Sequence, residues 1–255
     1  MASQGLTRVA PPDRNAVGLM LAHVKPDTAH PDGAESSPRA AALMAVLCAL
    51  GLIALAAAAG KGPLPIDVAI RDGLAVGGPV PFLLGVLNTI GGALVWDAGV
   101  LIVIATLVLA HRRVEAAWIG GGLLVGEAVS TVIKLVVDRP RPPGIAVVDL
   151  VTQASFPSGH VTRAALTGAL LVLFWPGGPR SRIVAAIAAF VVAALMGLAR
   201  IVAGEHWPTD VLGAYLVVGM VTAGAAAIRM RLSRMPAPGH PNRPVPAPDD
   251  AARSP

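Results

Sequence analysis

Charged residues are scarce in this sequence. Asp, Glu, Lys and Arg make up 14% of its 255 residues and hydrophobic residues 55%, whereas an ordinary soluble domain is about a quarter charged. A soluble core does not require several nearly uncharged runs of about 18 residues or more, the length of a helix that crosses a bilayer. The scarcity of charge therefore argues against a soluble protein and favours an integral membrane protein.

Cysteine and an organised basic surface are lacking as well. Cys48 is the only cysteine, which excludes an intramolecular disulfide and any metal site built from cysteines. The formal net charge is +5, but the basic residues are scattered between apolar runs and form no stripe interleaved with aromatic residues. We therefore expect no nucleic-acid partner and attribute the basic residues to membrane orientation.

Six apolar runs predict an all-α fold, a polytopic membrane bundle of about six helices, each satisfying its own backbone hydrogen bonds. The predicted transmembrane domain covers residues 40–230, with spans at about 40–60, 93–111, 114–137, 160–176, 183–201 and 208–229. Prolines and glycines interrupt the apolar segment 64–92, which predicts an interfacial or re-entrant helix, with a seventh span as the alternative. Residues 1–39 and 231–255 lack sustained periodicity and are expected to be disordered cytoplasmic tails.

Basic residues predict the orientation. With the N-terminus inside, most Lys and Arg residues fall in cytoplasmic segments, as the positive-inside rule requires, and the Ala-, Pro- and Arg-heavy composition suggests a bacterial plasma membrane. Five basic residues break this pattern near the outer ends of the third to fifth spans: Lys134, Arg139, Arg141, Arg163 and Arg200. Cations clustered at a membrane boundary repel one another, so we expect them to bind an anion. Snorkelling of these side chains to lipid phosphates is the alternative.

Ser158, Gly159 and His160 lie at the start of the fourth span, in the stretch SFPSGHVTRA. The free N–H groups and the positive end of that helix point to the outer face, where phosphate binds readily. Gly159 would let an oxyanion approach the backbone, and Ser158 could cap the helix or donate to the anion. A Ser-Gly cap without a binding role is an equally common alternative.

His206 precedes the sixth span, and Asp210 falls in the first turn of that span after Pro208. A carboxylate four residues from the ring can accept from one ring nitrogen and leave the other as a nucleophile. Taken alone, such a pair is more often a helix-capping contact. Its significance depends on the motifs that accompany it.

Together, three motifs resemble a known signature. Lys134-x6-Arg141-Pro142, Pro157-Ser158-Gly159-His160 and Arg200-x5-His206-x3-Asp210 follow one another in this order. This pattern resembles the three-part signature of the type 2 phosphatidic acid phosphatase (lipid phosphate phosphatase) superfamily, and the resemblance covers about residues 40–230. Ala199 is a departure, because the family usually has Ser before this arginine.

The resemblance implies a role for each motif residue. The residue at His206 would attack phosphorus to form a phosphohistidine, Asp210 would orient it, and His160 would protonate the leaving alkoxide and later activate water. A set of donors would hold the phosphoryl oxygens: Lys134, Arg141, Ser158, the Gly159 N–H and Arg200. Arg139 would support this set, and Arg163 would contact lipid or shield the pocket.

No cofactor and no metal are expected, because the basic residues supply the electrostatic stabilisation. A metal site formed by His160, Glu205, His206 and Asp210 is the alternative, although the surrounding cations would repel a divalent ion. Glu127, in the middle of the third span, is expected to bond across helices, with proton transport as the alternative.

The predicted function is hydrolysis of a lipid phosphate or diphosphate at the extracytoplasmic face, with a phosphorylated lipid and membrane lipids as partners. Undecaprenyl diphosphate, phosphatidylglycerophosphate and phosphatidic acid are all compatible, because the motifs recognise the phosphate and not the tail. A phosphotransferase with the same intermediate is the alternative. A transporter is less favoured, since its polar residues would lie near the bilayer midplane, often in related halves.

Overall fold

Eight α-helices form the described part of the protein. The computed structural model describes residues 37–60, 62–74, 81–143 and 152–234, and no β-strand occurs among them. The helices are α1 (Pro38–Ala59), α2 (Pro65–Gly73), α3 (Phe82–Ile90), α4 (Ala93–Leu109), α5 (Arg113–Val137), α6 (Gly159–Leu173), α7 (Pro179–Val202) and α8 (Pro208–Ser233). The predicted all-α fold is confirmed. The expected tails fall mostly on residues 1–36 and 235–255, which lie outside the described residues.

Four helices are long and apolar enough to cross a membrane, namely α1, α5, α7 and α8. Helices α3 and α4 would form a fifth span together, but they meet at an angle of 65°. Helix α1 begins two residues before the predicted start, because Pro38 occupies the first turn and Ser37 accepts the Ala40 N–H at 3.0 Å. Helix α8 runs to Ser233.

Helix α6 corrects the predicted span 160–176. It ends at Leu173 after 15 residues, because the Pro-Gly-Gly sequence at 176–178 cannot continue a helix. It packs against α5, α7 and α8, and its buried side chains include Val161, Leu166 and Leu170. Helix α6 is therefore a short internal helix whose N-terminal end is held in place by its neighbours.

The segment 64–92 forms two short helices. Helices α2 and α3 have nine residues each, so neither is long enough to cross a bilayer by itself. The bend between α3 and α4 lies at Gly91, where a Cβ atom would be 2.7 Å from the sulfur of Met196 and 2.8 Å from the ring of His160. A side chain at this position would force Met196 and the ring of His160 to move, so glycine allows the end of α3 to lie next to the N-terminus of α6.

Helix α8 is central to the bundle. It packs along α1 and against α5, α6 and α2, and Val217 and Phe156 belong to the core cluster around it. The outer faces of the other long helices expose large apolar side chains, among them Leu43, Leu101, Val136 and Phe190. An apolar surface of this extent is unfavourable in water and favourable in lipid, so the protein is a membrane protein.

Candidate active site

His206 lies in the turn between α7 and α8, and both of its ring nitrogens have partners. Its Nδ1 is 3.2 Å from Oδ2 of Asp210, and its Nε2 is 3.3 Å from Nη1 of Arg141. The same Asp210 oxygen accepts the Trp207 N–H at 2.8 Å, so the carboxylate caps α8 and contacts the ring at once. The two alternatives for this pair, capping and ring orientation, are both realised.

The ring of His206 is neutral near pH 7. Burial lowers the pKa of His206 most strongly, the hydrogen bond to Asp210 raises it, and the charges of Arg200 and Arg141 lower it again, with a net pKa below the ordinary value of 6.5. Because a carboxylate is an acceptor, the ring proton resides on Nδ1 and the Nε2 lone pair faces Arg141. This tautomer is the one required of a nucleophilic imidazole.

Lys134 and Arg141 hold the chain that leads into α6. Nζ of Lys134, in the last turn of α5, donates to the carbonyl of Ala154 at 2.9 Å. Arg141 donates from Nε to the carbonyl of Gln153 at 2.9 Å and from Nη1 to the carbonyl of Glu205 at 3.2 Å. These contacts bring the first motif together with the segments that carry the other two.

His160 and Arg200 also meet. Nε2 of His160 is 3.4 Å from Nη1 of Arg200. Arg200 donates as well to the side chains of Asn88, on α3, and Glu205, and Asn88 donates to the other Glu205 oxygen at 3.2 Å. The guanidinium that was expected to hold phosphate is therefore bound to a carboxylate in this structure.

Two buried donors from the expected phosphate-binding set have no partner among the described residues, namely Oγ of Ser158 and Nε of Arg200. Ser158 occupies the N-cap position of α6, but its side chain makes no capping hydrogen bond, so the capping alternative is not realised. Its N–H donates to the carbonyl of Asp210 at 3.1 Å, so the second motif lies directly beside the third. A buried polar group without a partner is costly, and an oxygen of a bound ligand would satisfy such a donor.

Arg139 lies behind His206, completely buried. Its Nη1 donates to Oδ1 of Asp210 at 2.5 Å, and its Nη2 donates to Oδ2 of Asp67 at 2.6 Å. Two carboxylates therefore surround this guanidinium. The anion partners of Arg139 are thus the internal carboxylates of Asp67 and Asp210, and this guanidinium lies behind the donor set that it was expected to support.

Arg163 is paired too. Its Nη2 is 2.5 Å from Oε1 of Glu127, an ion pair between α6 and α5, and this is the bond across helices expected for Glu127. Both residues line a cavity of about 340 Å³ between α4, α5 and α6, with mainly apolar walls that include Leu101, Ile104 and Leu166. Arg163 lies 3.5 Å from the position that a Cβ on Gly159 would take, so the cavity adjoins the second motif.

The donor set proposed for a metal does not converge. Within residues 37–60, 62–74, 81–143 and 152–234, no three His, Cys, Asp or Glu side chains form a group that could hold a metal ion. Glu205 faces Arg200 and Asn88, whereas Asp210 faces His206, Arg139 and the Trp207 N–H. The two carboxylates of the alternative site thus bind different partners.

Sequence comparisons bear on the same motifs. Residues 115–234 match the sequence model of the PAP2 superfamily. Decaprenylphosphoryl-5-phosphoribose phosphatase of Mycobacterium tuberculosis strain H37Rv is 36% identical over 142 residues, which are 52% of this chain and 75% of that protein. The chain belongs to the PAP2 superfamily. The protein of the same name from Mycolicibacterium smegmatis is 36% identical over 121 residues, 46% of this chain and 62% of that protein.

The fold is also that of a PAP2 protein. The crystal structure of a transmembrane PAP2-type phosphatidylglycerolphosphate phosphatase from Bacillus subtilis superimposes with a TM-score of 0.60, at 23% identity, over 75% of this chain and 98% of that chain. The resemblance inferred from the three motifs is thereby confirmed. As a PAP2 member with phosphatase relatives, the protein is a membrane phosphatase by family.

Three polar residues around the PAP2 motifs were not anticipated in these roles. Asp67 and Asn88 lie in the apolar segment 64–92, where an isolated carboxylate and amide were the available signal. Glu205 was considered only as a metal ligand. Their partners are 72, 112 and 5 residues away in the sequence, and for the first two no local pattern indicates such pairings.

Proposed function

We propose that this PAP2 protein hydrolyses a lipid phosphate or diphosphate through a phosphohistidine on His206. The observation that carries the proposal is the geometry of His206, with Nδ1 on Asp210 at 3.2 Å and Nε2 toward Arg141 at 3.3 Å. A phosphoryl group bound by Arg141 would lie next to the nucleophilic nitrogen. The buried donors of Ser158 and Arg200, which lack a partner among the described residues, support binding of an anion by these motifs.

In the first step, the Nε2 lone pair of His206 attacks phosphorus, and the bond from phosphorus to the ester oxygen breaks. The bonding electrons stay on the leaving oxygen, which takes a proton from His160. Lys134, Arg141 and Arg200 offset the charge on the phosphoryl oxygens, together with the Ser158 hydroxyl and the first N–H groups of α6. Lys134 and Arg141 are held by backbone carbonyls before the reaction, whereas Arg200 must exchange the carboxylate of Glu205 for a phosphoryl oxygen.

In the second step, water attacks the phosphorus of the phosphohistidine and releases inorganic phosphate. His160, which has lost its proton to the leaving group, accepts the proton of the water. The bond from phosphorus to Nε2 breaks. This restores the neutral ring, whose Nδ1–H donates to Asp210. The cycle uses only side chains of this protein and water.

A lipid substrate is supported by the surroundings of the motifs. The apolar cavity between α4, α5 and α6 adjoins Gly159 through Arg163, so an apolar chain attached to a bound phosphate has a place to lie. The mycobacterial and Bacillus relatives are named for decaprenylphosphoryl-5-phosphoribose and phosphatidylglycerolphosphate. Both names describe phosphates carried on lipids.

The site is proposed to face the extracytoplasmic side of a bacterial plasma membrane. The last turn of α5 and the N-termini of α6 and α8 form the site. The opposite end holds basic side chains, among them Arg112 and Arg229, which donate to the carbonyls of Phe174 and Leu173. The start of α1 and the end of α8 belong to this basic end, which the positive-inside rule assigns to the cytoplasm.

Purified protein in detergent tests the proposal. We expect inorganic phosphate to be released from at least one of phosphatidic acid, phosphatidylglycerophosphate and undecaprenyl diphosphate, and much more slowly from glycerol 3-phosphate, which lacks the apolar chain. Glycerol added as an acceptor distinguishes hydrolysis from transfer, because a phosphotransferase would form phosphorylated glycerol in place of free phosphate. Absence of phosphate release from every lipid, with folded protein, would refute the proposal.

A further inference from the structure

Asp67 ends a row of buried ionisable side chains that begins at His206. Nδ1 of His206 is 3.2 Å from Asp210, Asp210 accepts from Arg139 at 2.5 Å, and Arg139 donates to Asp67 at 2.6 Å. The four side chains are between 0 and 2% exposed. The row crosses from α8, through the segment that follows α5, to α2, which lies outside residues 115–234, the range that matches the family model.

Both carboxylate oxygens of Asp67 accept hydrogen bonds. Its Oδ1 accepts the Thr209 N–H at 2.8 Å, and its Oδ2 accepts the Thr209 hydroxyl at 2.8 Å and the Leu64 N–H at 2.9 Å, besides Arg139. Every one of these partners is a donor, which a carboxylate satisfies and a protonated acid does not. The side chain is therefore held rigidly and carries a negative charge.

The charge of Asp67 affects His206 through the charge balance of the row. A guanidinium bound to Asp210 alone would cancel the charge of that carboxylate where His206 needs it. Asp67 supplies a second negative charge, so Asp67, Arg139 and Asp210 together carry a net charge of −1. In a buried site this net charge acts on the imidazole with little screening by water.

We infer that Asp67 is a positioning residue for the phosphoryl transfer, acting through Arg139 and Asp210. It orients Arg139, which in turn holds Asp210 on the His206 ring. It also keeps the row negative, so that the positive charge arising on the imidazole, as the bond to phosphorus forms, is stabilised. This inference rests on the proposed phosphohistidine mechanism and extends it to a residue outside the three motifs.

A double-mutant cycle tests the charge balance, with Asp67→Asn, Arg139→Gln and the double variant. Asp67→Asn leaves Arg139 neutralising Asp210, so phosphoenzyme formation should slow about tenfold or more. In the pH profile of this rate, the acid limb, where His206 becomes protonated, should move to lower pH by about one unit. This is the shift expected when a charge several ångström from His206 is removed at an effective dielectric constant of about 20. Arg141, Arg200 and His160, which also act on His206, are unchanged in all variants.

The double variant provides the decisive comparison. It removes one negative and one positive charge, leaves Asp210 with its own charge, and should recover most of the rate and the acid limb lost in Asp67→Asn. Because it contains no buried arginine that has lost one of its two carboxylate partners, it is also expected to fold if Asp67→Asn does not. Losses that add in the double variant, or a recovered rate without a restored acid limb, would overturn the inference.

Thr209→Val is the matched control. It removes the hydroxyl that bonds Asp67 and Arg139 without changing any charge, so it should lower stability and leave the acid limb in place. A shift equal to that of Asp67→Asn would contradict the electrostatic role and leave only an anchoring role for α2. If the wild-type protein forms no phosphohistidine at all, the proposed mechanism fails instead, and the two failures are distinguishable.

Discussion

The carboxylate of Glu205 is bound to the guanidinium of Arg200, five residues before it in the chain. Asn88 bridges the pair, because its amide contacts both Arg200 and Glu205. A carboxylate is an anion of the kind that Arg200 is proposed to bind in the substrate. The structure therefore shows Arg200 with an internal anion in the place where phosphate is expected.

Glu205→Gln should strengthen substrate binding. Phosphate no longer has to compete with a carboxylate for Arg200, so we expect KM to fall about three- to tenfold, a change of roughly 1 kcal/mol, with a smaller effect on kcat. Glu115→Gln is the matched control, since Glu115 forms an ion pair with Arg112 at the basic end and should leave KM unchanged. A higher KM in Glu205→Gln would show that Glu205 assists substrate binding.

The two histidines should fail in different ways. His206→Ala should abolish both turnover and the acid-labile, base-stable phosphoenzyme, because it removes the nucleophile. His160→Ala should be slow on a lipid phosphate but retain more activity on an aryl phosphate, whose leaving group needs no proton. Each loss can reach several powers of ten in rate, at about 1.4 kcal/mol of barrier per power. Phosphoenzyme in His206→Ala would exclude this residue as the nucleophile.

Stability should decrease in mild acid because of His206. Burial holds the pKa of His206 below the ordinary value of 6.5, so the unfolded chain binds the proton more readily than the folded one. The stabilisation is complete above about pH 6.5 and decreases as the pH falls below that value toward the folded pKa. Melting temperatures in detergent between pH 7.5 and 5 should fall less steeply in His206→Gln. Equal slopes in the two proteins would contradict this assignment.

Phosphate release should not depend on a metal ion. The phosphoryl charge is proposed to be offset by Lys134, Arg141 and Arg200, so activity should survive EDTA. Vanadate should inhibit, because it is an oxyanion that resembles the phosphoryl group and can occupy the same donors. Activity that disappears on chelation and returns with a divalent ion would require a different site.

The side of the membrane can be tested with two single cysteines in a Cys48→Ala background. Gln153 is exposed near the active site, and Ser181 is exposed in the first turn of α7 at the opposite end. In intact cells, an impermeant thiol reagent should label Gln153→Cys and should label Ser181→Cys only after permeabilisation. The reverse pattern would invert the proposed orientation.

The bundle could be anticipated from hydropathy wherever a helix is long and faces lipid. Helices α1, α5, α7 and α8 each coincide with a predicted span, because a lipid-facing helix must be apolar along its length. Helix α6 is shorter than the predicted span, because an internal helix is not required to match the bilayer thickness. The bend at Gly91 depends on the nearness of Met196 and His160, which are remote in the sequence.

The sequence by itself determined the membrane class, the order of the three motifs and the pairing of His206 with Asp210. These follow from local requirements, namely apolar length, motif spacing and one helical turn between ring and carboxylate. Only the tertiary structure decided which charges have partners: Asp67 on Arg139, Glu205 and Asn88 on Arg200, and Glu127 on Arg163. A buried ion must find its counter-ion in space, and packing brings those groups together from helices that hydropathy can locate but cannot arrange.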